Sequence, residues 1–196
     1  RLLDCSVAEL SVIRDSLEPH REKLLAGLWE TLRDPGAPGL ADERGRKDRF
    51  HAAIALAAYF PDSEAWTADD ADFLAVALLH SNLDHQHDLR SYLQPIAPRL
   101  LEPLQAIFRD ETERDTIRQA AAVALADFAR DEPERLAQWA SEATLDQYGI
   151  LHAALAENPA LRERALKALV TLAHEQPTDA FDENQRVQLG GRRAGA

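Results

Sequence analysis

The chain contains no methionine, a single cysteine (Cys5), and only three lysines, Lys23, Lys47 and Lys167. One thiol builds neither an internal disulfide framework nor a Cys-x-x-Cys redox or metal pair, so Cys5 is read as an inert thiol. The lack of methionine at position 1 leads to the expectation that the sequence is part of a longer protein. No charged-then-apolar signal segment opens it. Positive charge is scarce, with 22 Lys plus Arg against 34 Asp plus Glu and a net charge of -12. A general nucleic-acid binder needs clustered positive charge, so that class is set aside. No apolar run approaches the roughly 18 residues a membrane span requires. Strand-favouring residues are few, and aromatics make up 6%. These absences lead to the expectation of a cytoplasmic protein that engages neither nucleic acid nor membrane.

What is present is alanine and leucine, 35 and 29 of the 196 residues, both strong helix formers. The 45% apolar content is too high for a disordered chain, and the length suits one domain or a short run of repeats. Apolar residues recur at helical steps: Leu3, Val7, Leu10 and Ile13, then Leu17, Leu24, Leu25, Leu28 and Leu32. Phe50, Ile54, Leu56 and Phe60 belong to an Ala-rich helix. Further helices are predicted over 68–82, 88–108, 114–130, 133–143, 145–156 and 159–174. Turn chemistry separates them at Asp34-Pro35-Gly36, Pro61-Asp62, Asp131-Glu132-Pro133, Asn158-Pro159 and Gln176-Pro177. The Pro/Gly-rich stretch from Asp34 to Ala41 is read as a surface connection between helices of one style. No segment reads as a strand. The organisation expected is a helical region over 1–176 and a polar tail over 177–196, with Arg193–Ala196 opening a further helix.

Two patterns repeat. Leu17-Glu18-Pro19, with Leu24, Leu25, Leu28, Leu32, Arg33 and Asp34, returns as Leu93-Gln94-Pro95, with Leu100, Leu101, Leu104, Phe108, Arg109 and Asp110. Each pair lies 76 positions apart. Arg49, Ala52, Ala55, Leu56 and Tyr59 return 69 positions on as Arg118, Ala121, Ala124, Leu125 and Phe128. A third occurrence is Arg162, Ala165, Ala168, Leu169 and Leu172. The alanines and leucine share one helix face, where two small side chains admit a neighbouring helix and the larger ones fill beside it. The arginine, one turn earlier, lays its stem on apolar surface. Units of this kind bury their apolar faces on one another, so the fold expected is all-α, a right-handed α-solenoid of antiparallel helix pairs.

Arg49-Phe-His-Ala-Ala-Ile-Ala-Leu-Ala-Ala-Tyr-Phe-Pro61 resembles the second helix of a HEAT-type repeat. Together with Leu17-Glu-Pro-His-Arg21, Leu104-Gln-Ala-Ile-Phe-Arg-Asp110 and Ala124-Leu-Ala-Asp-Phe128, it is similar to the HEAT-like region of large bacterial proteins of planctomycete type. In that family the region lies between a Ser/Thr protein kinase domain and a formylglycine-generating-enzyme-like (sulfatase-modifying factor) domain. The resemblance spans about residues 1–175. It implies a repeat scaffold linking domains, and it does not carry either activity to these residues: there is no Gly-rich phosphate loop, His-Arg-Asp or Asp-Phe-Gly.

Several clusters carry groups capable of chemistry. His80, Asp84, His85, His87 and Asp88 fall within nine residues and offer imidazole and carboxylate ligands for a metal such as zinc. The spacing fits no strong signature, and the segment reads as a solvated connection in which Asp88 begins the next helix. Asp69, Asp70 and Asp72 lack the glycine-bent loop of a calcium site and read as a first helical turn after Thr67. Glu111, Glu113 and Asp115, with Arg114 and Arg118, read as a solvated helix start, not a general acid/base pair. Asp131-Glu132-Pro133-Glu134-Arg135 reads as a polar hinge. Trp29 and Trp139 are expected in packing, and Trp66, between helices, is expected to be exposed. No catalytic, cofactor-binding or metal residue is assigned. The function expected is a non-catalytic scaffold or protein-interaction module whose partner is a protein or a flanking domain of the same chain. The acidity suits a basic partner. The alternative is a metal-dependent module or enzyme using the His80–Asp88 segment.

Overall fold

The computed structural model describes residues 2, 3, 5–34, 43–156 and 159–174. The tail expected over 177–196, the Pro/Gly-rich stretch after Asp34, and the Asn158 and Pro177 turns lie outside them. Among the described residues there is helix and turn and no strand. The helices are α1 (Val7–Leu17), α2 (Arg21–Arg33), α3 (Glu43–Tyr59), α4 (Ala68–Leu79), α5 (Leu83–Leu93), α6 (Ala97–Arg109), α7 (Asp115–Phe128), α8 (Pro133–Glu142), α9 (Leu145–Ala156) and α10 (Pro159–His174).

The repeat appears in the backbone itself. Helix α1 has 11 residues, a 3-10 turn at Glu18–His20 has 3, and α2 has 13. Helix α5 has 11, a 3-10 turn at Gln94–Ile96 has 3, and α6 has 13. Every boundary is displaced by the same 76 residues. The cause is the proline at the second position of each turn, Pro19 and Pro95. A proline there supplies no amide to an i→i−4 bond, so the chain tightens into a 3-10 turn before the next helix begins. The single helix expected over 88–108 is therefore two, α5 and α6.

A further correspondence follows that the sequence patterns did not expose. Helices α4 and α9 both have 12 residues and both follow a threonine, Thr67 and Thr144. Their buried leucines, Leu74 and Leu78 in α4, match Leu151 and Leu155 in α9. Residues 7–79 and 83–156 are thus two copies of one helical unit. The second carries an insertion between α7 and α9 that forms α8, where the first has only the short turn region before Thr67.

By packing, the described residues form two compact units, divided between Pro103 and Leu104. In the first, α3 is central, with α2, α4 and α5 against it. Residues Ala52 to Ala57 are wholly buried, so this stretch of α3 is apolar around its whole circumference, whereas the first half of the helix carries its charges. In the second unit α9 packs against α7 and α8, and α10 packs on α8 and α9. Trp139 of α8 and Phe108 fill its core, each about 1% exposed. Trp66 corrects the expectation of exposure. It is buried at 7%, edge-on to Trp29 at 4.9 Å between ring centroids, and its Nε1 donates to the Phe60 carbonyl at 3.1 Å. Trp29 itself is half-buried, with the Arg33 guanidinium 4.5 Å over its ring.

Candidate functional site

The first unit contains a recess of about 270 Å³ at the junction of α1, α3, α4 and α5. Its geometry begins with how α4 ends. His80 closes the helix, its amide donating to the Val76 carbonyl at 3.0 Å. Ser81 Oγ returns to the Ala77 carbonyl at 2.6 Å. Buried Gln86, one turn into α5, donates to the carbonyls of Leu79 and Ser81, both at 3.3 Å. Gln86 thereby covers helix-end acceptors that would otherwise face a dry interior. Asn82 caps α5 by accepting from the Asp84 amide at 3.1 Å. The α4–α5 turn is three residues long and held at every step.

That cap places the start of α5 at Leu83, not at Asp88. Asp88 sits inside the helix and is exposed. On α5, His85 and Leu89 share a face, and both line the recess beside His80 from the turn. Asp84, His87 and Asp88 do not line it. The nine-residue cluster is therefore split by helical geometry: two of its imidazoles go to one place, and the rest of its ligand-type side chains go elsewhere. Among the described residues no group of three or more His, Cys, Asp or Glu side chains is arranged to hold a metal ion.

The recess gains residues from α3 that reading the sequence did not attach to it: Arg46, Lys47, Phe50 and His51. His51 is only 2% exposed, and its Nδ1 lies 3.1 Å from the Leu2 carbonyl oxygen. A carbonyl only accepts, so Nδ1 carries the proton and Nε2 is left as the second polar atom of the ring. Burial pulls His51 below its ordinary range, against the opposing pull of the Leu2 carbonyl. Helical spacing puts residues 46, 47, 50 and 51 on one face of α3. Nothing in the sequence said which elements that face would meet.

The other clusters resolve into helix ends. Thr67 and Asp70 form a reciprocal capping box at the start of α4, with Asp70 Oδ2 accepting from the Thr67 amide at 3.0 Å and hydroxyl at 2.8 Å. Asp70 is buried and pairs with Arg33 at 2.8 Å, while Asp69 and Asp72 are exposed. Burial pushes the Asp70 carboxyl up, but the Arg33 guanidinium and the Thr67 donors together hold it below its usual value. Asp115 opens α7, and Glu111 and Glu113 precede it on a turn in which Asp110 accepts from Thr112. Pro133 opens α8 at the expected hinge. Cys5 is buried, its Sγ donating to the Leu2 carbonyl at 3.1 Å, and burial pushes its thiol up, away from the reactive thiolate. No helix among the described residues is long and apolar enough to cross a membrane.

No family model matches the chain, and neither a curated protein nor a solved structure matches it.

Proposed function

We propose that this chain is a non-catalytic helical-repeat scaffold and protein-interaction module of HEAT-like type. The observation that supports the reading is the recurrence, 76 residues on, of an 11-residue helix, a Pro-bearing 3-10 turn and a 13-residue helix. Repetition of a whole helical unit, including its turn, is what builds a right-handed α-solenoid. In such an array each unit completes the core of its neighbour, and a series of similar faces is left for a partner. The clusters around Asp70, Asp115 and Pro133 serve as helix starts and caps, which also favours a scaffold over an enzyme. In this reading the chain orients flanking domains of a larger cytoplasmic bacterial signalling or modifying protein, or holds a protein partner. The net charge of -12 favours a basic one, through steering of the encounter.

The test is capture of proteins from a bacterial lysate on the immobilised chain at low and moderate salt, followed by titration of the captured protein in purified form. The expected result is a saturable protein partner whose association slows as salt rises. Small-molecule turnover by the purified chain overturns the reading; no saturable protein at either salt overturns its interaction half and favours a spacer that holds neighbouring domains apart.

A further inference from the structure

We propose that the recess at the junction of α1, α3, α4 and α5 binds a small organic anion: one phosphate or carboxylate group on a compact apolar body. The inference stands apart from the scaffold reading and neither needs it nor excludes it.

The first argument is the sign of the lining. The chain carries 34 carboxylate residues against 22 Lys and Arg, so an arbitrary depression in its surface is expected to include carboxylates. Among the described residues this one includes none. Its charged and titratable lining is Arg46, Lys47, His51, His80 and His85, completed by the polar groups of Ser81 and Asn82. Lys47 already interacts with another group, so Arg46 and the imidazoles are the groups offered to a ligand. Asp48, whose charge reaches His51, lies outside the lining. Nitrogen bases drawn from two helices and a turn therefore converge where the surrounding field would repel an anion. Concave walls of one sign concentrate the local potential.

The second argument is the floor. Val7, Phe50, Ala77 and Leu89 supply apolar surface from four separate helices. A bare inorganic anion has no use for that surface, whereas a compact apolar body does. The volume, about 270 Å³, lies just under the range of pockets that take drug-sized ligands, which sets the size class.

The third argument is rigidity. Gln86 ties the α4–α5 turn from beneath, Asn82 caps α5, and the Leu2 carbonyl holds His51 by Nδ1. Donors fixed before the ligand arrives lose little freedom on binding, which is the main cost a small ligand must overcome.

The experiment is calorimetric titration of the whole chain with phenyl phosphate, with inorganic phosphate and benzyl alcohol as the two halves of the probe. Expected is saturable 1:1 binding of phenyl phosphate, weakened by added salt, and at least tenfold tighter than either half. Arg46→Gln and His85→Gln, both at incompletely buried positions, are each expected to weaken binding about tenfold while circular dichroism stays unchanged. Arg135→Gln, in the other unit, is expected to leave it intact. Equal binding of benzyl alcohol overturns the anionic part, and equal binding of inorganic phosphate overturns the apolar part. No binding of phenyl phosphate at millimolar concentration, or binding indifferent to both recess substitutions, overturns the proposal.

Discussion

In the first copy of the repeat, Arg49 Nε donates to the Leu32 carbonyl at 2.8 Å and its guanidinium lies 4.0 Å over Phe73. Arg33, the next residue after Leu32, turns to the buried carboxylate of Asp70 and to the Ala65 carbonyl. In the second copy the equivalent carbonyl, Phe108, accepts from Gln147 Nε2 at 2.9 Å. Gln147 stands where Asp70 stands and grips Thr144 as Asp70 grips Thr67, with Oε1 accepting from the Thr144 amide and hydroxyl, both at 3.0 Å. Two arginines are displaced as a result. Arg109, the counterpart of Arg33, pairs with Glu142 of the inserted α8. Arg118, the counterpart of Arg49, finds its acceptor taken, and its Nε is buried without a partner. One exchange, carboxylate for amide at the third residue of a helix, thus redirects the polar contacts of a whole unit while the backbone plan survives. The amide brings its own donor and closes the helix end without a charge. The carboxylate accepts only, and must draw in an arginine.

The largest expected effect concerns what the second copy has and the first lacks. Trp139→Ala removes the main core side chain of α8, and a cost of about 3–5 kcal/mol is expected from urea denaturation followed by circular dichroism. Trp66 fills a comparable role from a turn and keeps an edge toward solvent, so Trp66→Ala is expected to cost less. If the order is reversed, α8 is an appendage on the unit, not part of its core. Next is Asp70→Asn, which keeps the shape and removes the charge. A loss of about 1–3 kcal/mol is expected, because charge-assisted bonds from Arg33 and Thr67 weaken together. Gln147, neutral already, offers no equivalent.

How much of this was legible beforehand follows from the same residues. The 17–34 and 93–110 stretches announced themselves because Pro19 and Pro95 are fixed by turn chemistry and the leucines by burial. The α4–α9 correspondence was not read, because the α8 insertion changes the spacing and only Thr, Asp and a few buried positions are shared. The start of α5 was misplaced for a physical reason as well. Leu83 is exposed at 78% while Gln86 is buried, so hydrophobic periodicity runs against the true register there. Trp66 was misjudged because a turn has no period from which burial can be read. Of the recess, the convergence of His80 and His85 was partly foreseeable from their proximity in the chain. The contribution of α3 depends on tertiary packing and was not.

Acid should separate the copies. His51 corresponds to Ala120, and Asp70 to Gln147, so among the described residues the two buried groups that titrate in acid belong to the first copy. Because burial holds His51 below its ordinary value of 6.5, the unfolded chain binds the extra proton, and stability falls as pH drops below about 6.5. Asp70 is held below its ordinary 3.8, so its contribution is full above that value and is lost as pH falls further. The lowered carboxylates in the second unit, Asp110, Glu134 and Glu163, lie on the surface, where screening leaves them little weight. Tryptophan fluorescence distinguishes the regions. Trp29 and Trp66, read in a Trp139→Phe variant, should report loss of structure at higher pH than Trp139 does in a Trp29→Phe, Trp66→Phe variant. His51→Gln should flatten the first step. Simultaneous acid transitions at all three tryptophans would show that the copies do not differ in this way.

The smallest effect is the most specific to the comparison. Gln147→Asp gives the second copy the residue type of the first. Aspartate cannot donate to the Phe108 carbonyl, so that acceptor is released, and Arg118 Nε, buried and unpaired, is the donor expected to take it as Arg49 does at Leu32. The single substitution should then change stability by less than about 1 kcal/mol, since one hydrogen bond replaces another. Arg118→Lys tests the exchange, because lysine cannot reproduce the planar guanidinium donor. In the natural chain, where Arg118 Nε bonds to nothing and Nη1 reaches only the exposed Asp115 carboxylate at 3.3 Å, the replacement should cost little. In the Gln147→Asp background it should cost about 0.5–1.5 kcal/mol more, measured as the coupling term of a double-mutant cycle. A coupling of zero would mean that the amide does not compete with the arginine, and that the two copies reached their different contacts independently.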